Sequence, residues 1–395
     1  MSAVATHPET MRTPLRGALR LPFDPLLLLA TVGLAAISLT AIGVSTQDDI
    51  PGDPWYYLTR QAVFFAVGLV LVVVISRLDY SGLRQAKYLI YGGMLLLTAS
   101  TIFFGTVTRG SRRALDLPFY QVQPSELGKV FLIIALAAFA VDRARRLRER
   151  ETTAILVLLA LVPAALVMIQ PDLGSALVYV VVVLAILFAA GTSWKHFAGL
   201  AAVTAAAVAI ALVAAPITGV TLLHEYQVER LTSFLHPSGD PGDAGYQQNQ
   251  AGIAIGAGQK TGRGSAATQT RLNFLPEHHT DFVFAVVGER WGFVGAALVL
   301  SLYALLIWRG LRILTMAKNL FGALLAAGIV AMLMFQVFVN VGMNIGIMPI
   351  TGIPLPLMSY GGSSVLTTLI AVGLLQSIYA QGRAAASQKG RVTAT

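Results

Sequence analysis

Ten apolar runs divide this chain, near residues 24–46, 60–76, 87–105, 125–141, 152–170, 173–191, 196–216, 281–308, 319–346 and 363–381. A helix needs roughly 20 apolar residues to cross a bilayer, with about 17 to 25 covering the usual range. Hydrocarbon holds no water to satisfy backbone N–H and C=O groups, so runs of this kind must be helices. The expected fold is an all-α polytopic membrane protein of about ten transmembrane helices, with one large extracytoplasmic loop between spans 7 and 8. The spans take up most of the 395 residues, which leaves no room for a separate soluble catalytic domain. The chain divides into a basic tail (1–23), a single transmembrane domain (24–381) and a short C-terminal tail (382–395). Charged residues make up only 12%, against about 25% in a soluble domain. There is no cysteine, which removes disulfides, thiolate nucleophiles and Cys-built metal centres.

A formal charge of +9 on a soluble face would point to nucleic acid, but here the cations are sorted by side of the membrane. With the amino terminus inside, Arg12, Arg16 and Arg20, then Arg77, Arg84 and Lys87, then the run from Arg143 to Arg150 all lie in the cytoplasm. Lys195, Arg309, Arg312, Lys318, Arg383, Lys389 and Arg391 follow on the same side. The opposite orientation would strand them outside, against the positive-inside rule. Both termini are thus expected in the cytoplasm, and no nucleic-acid partner is expected.

The outer segment 217–280 is too long for a plain connection. Tyr226, Leu231, Phe234 and Leu235, then Tyr246, Ile253 and Ile255, suggest short amphipathic elements on the outer surface. The stretch Gly256–Gly264 faintly resembles a phosphate loop, but it lacks the Gly-Lys-Ser/Thr order and no strand precedes it.

An ionisable side chain inside a spanning helix costs about 2.5 to 3.5 kcal/mol on insertion scales, so each one is a functional candidate. Glu126 and Lys129 stand one turn apart at the outer start of the fourth span. They are either a self-neutralising pair or the polar lining of an outward cavity. Asp172, in a short outer turn, reads foremost as the cap of the sixth span. Gln336, Asn340 and Asn344 recur every fourth residue and form one polar stripe. Beside the Pro- and Gly-rich segment Pro349–Pro356 that stripe fits a cavity wall better than plain interhelical glue. His278 and His279 are neighbours, which on a helix would point apart, and the His-Glu-x-x-His spacing of zinc enzymes is missing. No metal site is therefore expected there. Asp281 differs, because it sits where the long loop re-enters the membrane beside Phe282, Val283 and Phe284, and partial desolvation makes a carboxylate a better base.

Four motifs carry a family resemblance: Gln123-Pro-Ser-Glu126 with Lys129, Gln170-Pro-Asp-Leu-Gly174, Leu275-Pro-Glu-His-His-Thr-Asp-Phe282, and Pro354-Leu-Pro-Leu-Met-Ser-Tyr-Gly-Gly-Ser-Ser364. Together, and in this order, they resemble the SEDS proteins (shape, elongation, division and sporulation). Ala267-Thr-Gln269 and Ile347–Ile353 resemble the elongation branch, RodA, more than the division branch, FtsW. The resemblance implies a ten-span peptidoglycan glycosyltransferase that polymerises lipid II on the outer face of the cytoplasmic membrane. It also implies a class B penicillin-binding protein as transpeptidase partner within the elongation machinery. The essential aspartate of the family falls on Asp281. Its polar cavity residues fall on Arg113, Glu126, Lys129 and Arg230, and Glu289, Asn344 and Ser359 are further candidates for contact with substrate. Two departures stand out: Ala114 where the family usually carries tryptophan, and Arg290 where it tends to carry a second acid.

The chemistry follows once that substrate is granted. A lipid-linked disaccharide already carries a pyrophosphate leaving group, so no nucleotide is needed. What is needed is a base for the acceptor 4-hydroxyl, assigned to Asp281, and positive charge for the departing pyrophosphate, from Arg113, Lys129 and Arg230. A single displacement inverts the anomeric centre. No cofactor is required, although a divalent cation, magnesium or manganese, is compatible with Glu126, Glu289 or Asp281 as oxygen ligands. The competing readings are a flippase for a lipid-linked cell-wall precursor, which needs an outward cavity just as much, and a non-catalytic scaffold for a transpeptidase.

Overall fold

The computed structural model describes residues 23–108, 111–116, 121–209, 243–271, 274–275 and 277–392. The helices in chain order are α1 (Pro25–Ser45), α2 (Tyr56–Arg77), α3 (Lys87–Phe104), α4 (Pro124–Asp142), α5 (Arg150–Ile169), α6 (Leu173–Ala189) and α7 (Trp194–Ala209). They continue with α8 (Asp243–Gly258), α9 (Val283–Met316), α10 (Leu320–Asn344) and α11 (Gly362–Val392). Among the described residues eight of these are long and apolar enough to cross a membrane, and α6 is a shorter apolar helix. With α7, every one of the ten expected runs has its helix. The tail expected from residue 382 is instead helical as far as Val392.

α4, α10 and α11 form the centre of the bundle, with 83%, 78% and 83% of their most apolar windows buried inside the protein. α2 and α3 bury only 22% and 17% and turn their apolar faces outward, as lipid-facing helices do. Close approach at the centre depends on small residues, the usual device where lipid and side chain are equally apolar. A Cβ on Gly128 would collide with the Tyr179 hydroxyl, and that hydroxyl donates to the Ser125 carbonyl at 3.1 Å.

The connectivity gathers most of the described cations at one end of the bundle. A buried knot closes that end: Asp24 caps α1 by accepting from Leu26 and Leu27 N–H. It also takes the Arg309 guanidinium, with Nε at 3.0 and 3.1 Å from its two oxygens. Its backbone meets the Gln376 amide of α11 in both directions, as acceptor at 3.1 Å and donor at 2.7 Å. Nearby, Arg84 and Lys87 both pair with Asp142.

The opposite end departs from pure helix. Thr106–Thr108 (β1), Ser111–Asp116 (β2) and Gln121–Val122 (β3) form a small antiparallel ribbon in the order β1-β2-β3, which places Arg113 over the bundle. On the same side α8, from the second half of the long loop, packs against α9. α9 is broken at Gly292, whose φ of 63° is open to glycine at little cost. A Cβ there would also strike the backbone of residues 258 to 262. That backbone repairs the break, since Gln259 and Lys260 carbonyls accept from Phe293 and Val294 N–H at 2.9 and 3.1 Å. The Gly256–Gly264 stretch thus works as a backbone patch for a broken helix rather than as a phosphate loop.

Replacing Asp24 with alanine strips α1 of its cap and leaves Arg309 an uncompensated charge. We expect a loss of about 3 kcal/mol, read as a lower thermal midpoint in detergent; an unchanged midpoint would show the knot to be dispensable.

Candidate functional site

A cavity of ≈ 560 Å³ opens at the ribbon end. Its walls come from the start of α2 (Tyr56, Tyr57, Arg60), from β2 (Arg113), from the start of α4 (Glu126), from the turn His279–Asp281 and from the segment ahead of α11. Of the residues singled out in the sequence, Asp281, Arg113 and Glu126 meet at this cavity. Arg230 lies outside the described residues.

The turn carrying Asp281 is fastened through its main chain. Glu277 adopts φ 60°, and its carbonyl collects the N–H groups of Thr280, Asp281 and Phe282 at 3.1 to 3.3 Å. Its carboxylate accepts from the Thr280 hydroxyl at 2.7 Å. From α10, the Asn340 and Asn344 amides both donate to the Asp281 carbonyl at 3.1 Å. Asn340 also donates to the Ile353 carbonyl at 2.9 Å, and Asn344 Oδ1 accepts from Ala285 N–H at 3.1 Å. On the other flank Ser359 Oγ donates to the Thr280 carbonyl at 2.5 Å, and Tyr360 N–H to the His279 carbonyl at 2.8 Å. Gln61 of α2 holds the same segment, donating to Ser359 O at 3.2 Å and accepting from Gly361 N–H at 3.3 Å.

This geometry corrects three expected placements. Asn344 and Ser359, expected in contact with substrate, are 0% and 1% exposed and lie behind the wall, spending their hydrogen bonds on the turn. The α10 stripe is a support for broken backbone, because the carbonyls of Asp281 and Ile353 have left helical pairing and need donors. Glu289 is fully buried on another face of α9, where Oε1 accepts from Gln269 N–H at 2.9 Å and its carbonyl from Arg263 N–H at 2.9 Å. It fastens the returning loop. The neighbouring Arg290 is likewise absent from the cavity wall.

Glu126 and Lys129 form a buried ion pair, at 3% and 1% exposure. Glu126 reaches the cavity, but Lys129, expected to hold pyrophosphate, is absent from the cavity wall and pairs with Glu126 instead, a fourth correction. Asp172 caps α6 through Ser175 N–H at 3.1 Å. It also accepts from Ser125 Oγ at 2.9 Å and from the Gln123 amide at 3.0 Å, which ties the start of α4 to the start of α6. Ala114 lies beside Arg113 in β2 and lines the same cavity.

Sequence reasoning missed Arg60. It lies over the Tyr56 ring, 4.1 Å from the centroid, a cation–π arrangement that presents a guanidinium to the cavity. Its signal was available, as an arginine one turn into an apolar helix. Arg60 and Arg113 set two cations against Asp281, with Glu126 held by Lys129, so the chamber suits an anionic ligand.

The family model that describes the FtsW, RodA and SpoVE cell cycle proteins matches residues 20–384. The chain belongs to that family. Peptidoglycan glycosyltransferase MrdB of Escherichia coli (strain K12) is 38% identical over 362 residues, covering 90% of this chain and 93% of the relative. Peptidoglycan glycosyltransferase RodA of Treponema pallidum is 34% identical, covering 91% and 98%. Among solved structures, a chain of a peptidoglycan synthase complex that coordinates polymerization and crosslinking superposes with a TM-score of 0.78 at 33% identity, covering 92% of this chain and 99% of that one. Thermus thermophilus RodA gives 0.65 at 31%, covering 91% and 98%. With its apolar helices, membership of the FtsW/RodA/SpoVE family makes this an integral membrane protein.

Lys129→Ala should strand the Glu126 charge in the bundle and cost roughly 3 to 5 kcal/mol. The double change Glu126→Gln with Lys129→Met should recover most of that loss. Thermal unfolding of the three variants decides it, and a double variant no better than the single one would argue against pairing.

Proposed function

We propose that this chain is a peptidoglycan glycosyltransferase that polymerises lipid II, with Asp281 as the base for the acceptor 4-hydroxyl. The observation that carries this reading is the position of Asp281 in the cavity wall. Its backbone is fixed from two sides, and two arginines face the same chamber. A base needs hydrogen-bond reach to the proton it removes and a defined direction, and the clamp on the turn supplies that direction. Arginine suits pyrophosphate because its planar fork makes paired, charge-assisted bonds. In this reading Arg60 and Arg113 neutralise the departing pyrophosphate, joined by Arg230 from the long loop. A pyrophosphate leaves without being protonated, so the pair of carboxylates used by inverting glycosidases is not required. Glu126 then needs no acid role, and its pairing with Lys129 is consistent with that.

The cations toward the far end of the bundle support a cytoplasmic position for that end by the positive-inside rule, and in this reading the cavity opens outward. The acidic side chains compatible with a divalent cation include the Asp281 carboxylate in the cavity wall, and such an ion would supply further positive charge for pyrophosphate. Glu126 and Glu289 are engaged elsewhere. The likeness to a chain of a synthase complex supports a transpeptidase of the class B penicillin-binding type as partner. The motifs around Gln269 and Pro349 favour a role in elongation.

Asp281→Asn should reduce glycan-strand formation from purified lipid II by roughly 100- to 10,000-fold, the usual weight of a general base, with folding retained. Polymer made at the normal rate by the variant would remove Asp281 as base, whereas no polymer from folded wild type would return weight to a flippase or scaffold. Arg60→Ala should raise KM for lipid II about tenfold, the weight of one charge-assisted hydrogen bond; a KM equal to wild type would take Arg60 out of substrate binding.

A further inference from the structure

We infer that Asp49, His278 and His279 form a binding site for a divalent transition metal of the zinc class, at the rim of the cavity. Asp49 belongs to the α1–α2 connection, and the two histidines belong to the turn that leads to Asp281. One ligand atom from each lies within 4.8 Å of the others, and among the described residues this is the one such cluster of three. Adjacent histidines diverge on a helix, but residues 277–280 form a turn, and the turn brings both rings to one carboxylate oxygen.

Tautomer chemistry points to a cation. His278 Nδ1 lies 3.1 Å from the Leu275 carbonyl; a carbonyl can only accept, so Nδ1 carries the proton. With Nδ1 committed to Leu275, Nε2 is the ring nitrogen turned toward the carboxylate, and it faces Asp49 Oδ2 at 3.2 Å. Two acceptors at that distance repel unless a proton or a metal lies between. His279 Nδ1 approaches the same oxygen at 3.8 Å, and the two imidazole centroids are 5.1 Å apart. His278 is only 2% exposed, and one metal ion would engage all three groups at once. Donors about 2 Å from a tetrahedral zinc stand roughly 3.3 Å from one another, and here the two approaches to Asp49 Oδ2 are 3.2 and 3.8 Å. A ligating histidine typically donates its second ring N–H to a backbone carbonyl, which is what Leu275 receives. Such an ion would tie the α1–α2 connection to the turn that carries Asp281.

The test is metal binding by the full-length protein, purified in detergent through a tag without histidine and stripped with chelator. Cobalt(II) titrated into wild type should give a visible ligand-field band at one equivalent, displaced by zinc. Asp49→Ala and His278→Gln should each weaken binding by more than about 100-fold, since loss of a mere second-shell partner costs 10- to 100-fold. Asp281→Asn should bind like wild type, so the result does not depend on the catalytic reading. Absence of the band in wild type, or equal affinity in the Asp49 and His278 variants, would overturn the site. Loss of binding only in Asp281→Asn would place the metal on the proposed base instead.

Discussion

A polar group inside this bundle has only protein to bond with, and the site is built around that constraint. Breaking a helix in water costs little, because solvent takes over the orphaned groups; in hydrocarbon the same break must be met by side chains or by other backbone. Both main breaks in this chain are met in that way. At Gly292 the carbonyls of Gln259 and Lys260 replace the missing turn of α9. At the turn 277–282 the donors are two asparagine amides from α10 and a serine from the segment before α11. The reactive end of the molecule is irregular because the rest of the bundle can supply its hydrogen bonds.

The same constraint explains why the charges come in sets. Asp24 with Arg309, and Glu126 with Lys129, are buried pairs whose members would each be costly alone. They close the two ends of the bundle, the first by joining α1, α9 and α11 and the second by seating the start of α4. Once these are matched, the cavity retains Asp281 opposite Arg60 and Arg113. An imbalance of charge in a partly enclosed chamber attracts an anion of complementary shape.

The helices were legible because hydrophobic run length is a local property: each expected span met a helix, although α9 and α11 run on well past the expected ends, to Met316 and Val392. Glu126, Asp281 and the partnership of Glu126 with Lys129 were legible for a similar reason, as charges within runs that should hold none. The facing of residues around a non-helical turn was not legible. His278 and His279 read as divergent under helical geometry, and Asp49 is more than two hundred positions away, so their convergence depends on the fold of a turn. Asn344 and Ser359 were expected to touch substrate because a polar stripe beside a broken segment fits both a wall and a brace. Only the positions of the Asp281 and Thr280 carbonyls distinguish the two. Glu289 was expected to touch substrate from the family resemblance alone, whereas its partner Gln269 is set by how the long loop returns.

Bracing from behind has a chemical consequence. Each member of the clamp bonds to the main chain of the turn: Asn340 and Asn344 to the Asp281 carbonyl, Ser359 to that of Thr280, Tyr360 to that of His279. A hydrogen bond donated to a carboxylate stabilises its charged form and weakens it as a base. A bond to the adjacent carbonyl fixes position without drawing on the carboxylate lone pairs in the same way. For a single-carboxylate displacement this division of labour matters, because the base must be both well aimed and still basic when the acceptor hydroxyl arrives. In the proposed reaction the asparagines of α10 would supply aim through the backbone and Arg60 and Arg113 positive charge for the leaving group, so the two requirements would rest on different elements of the fold.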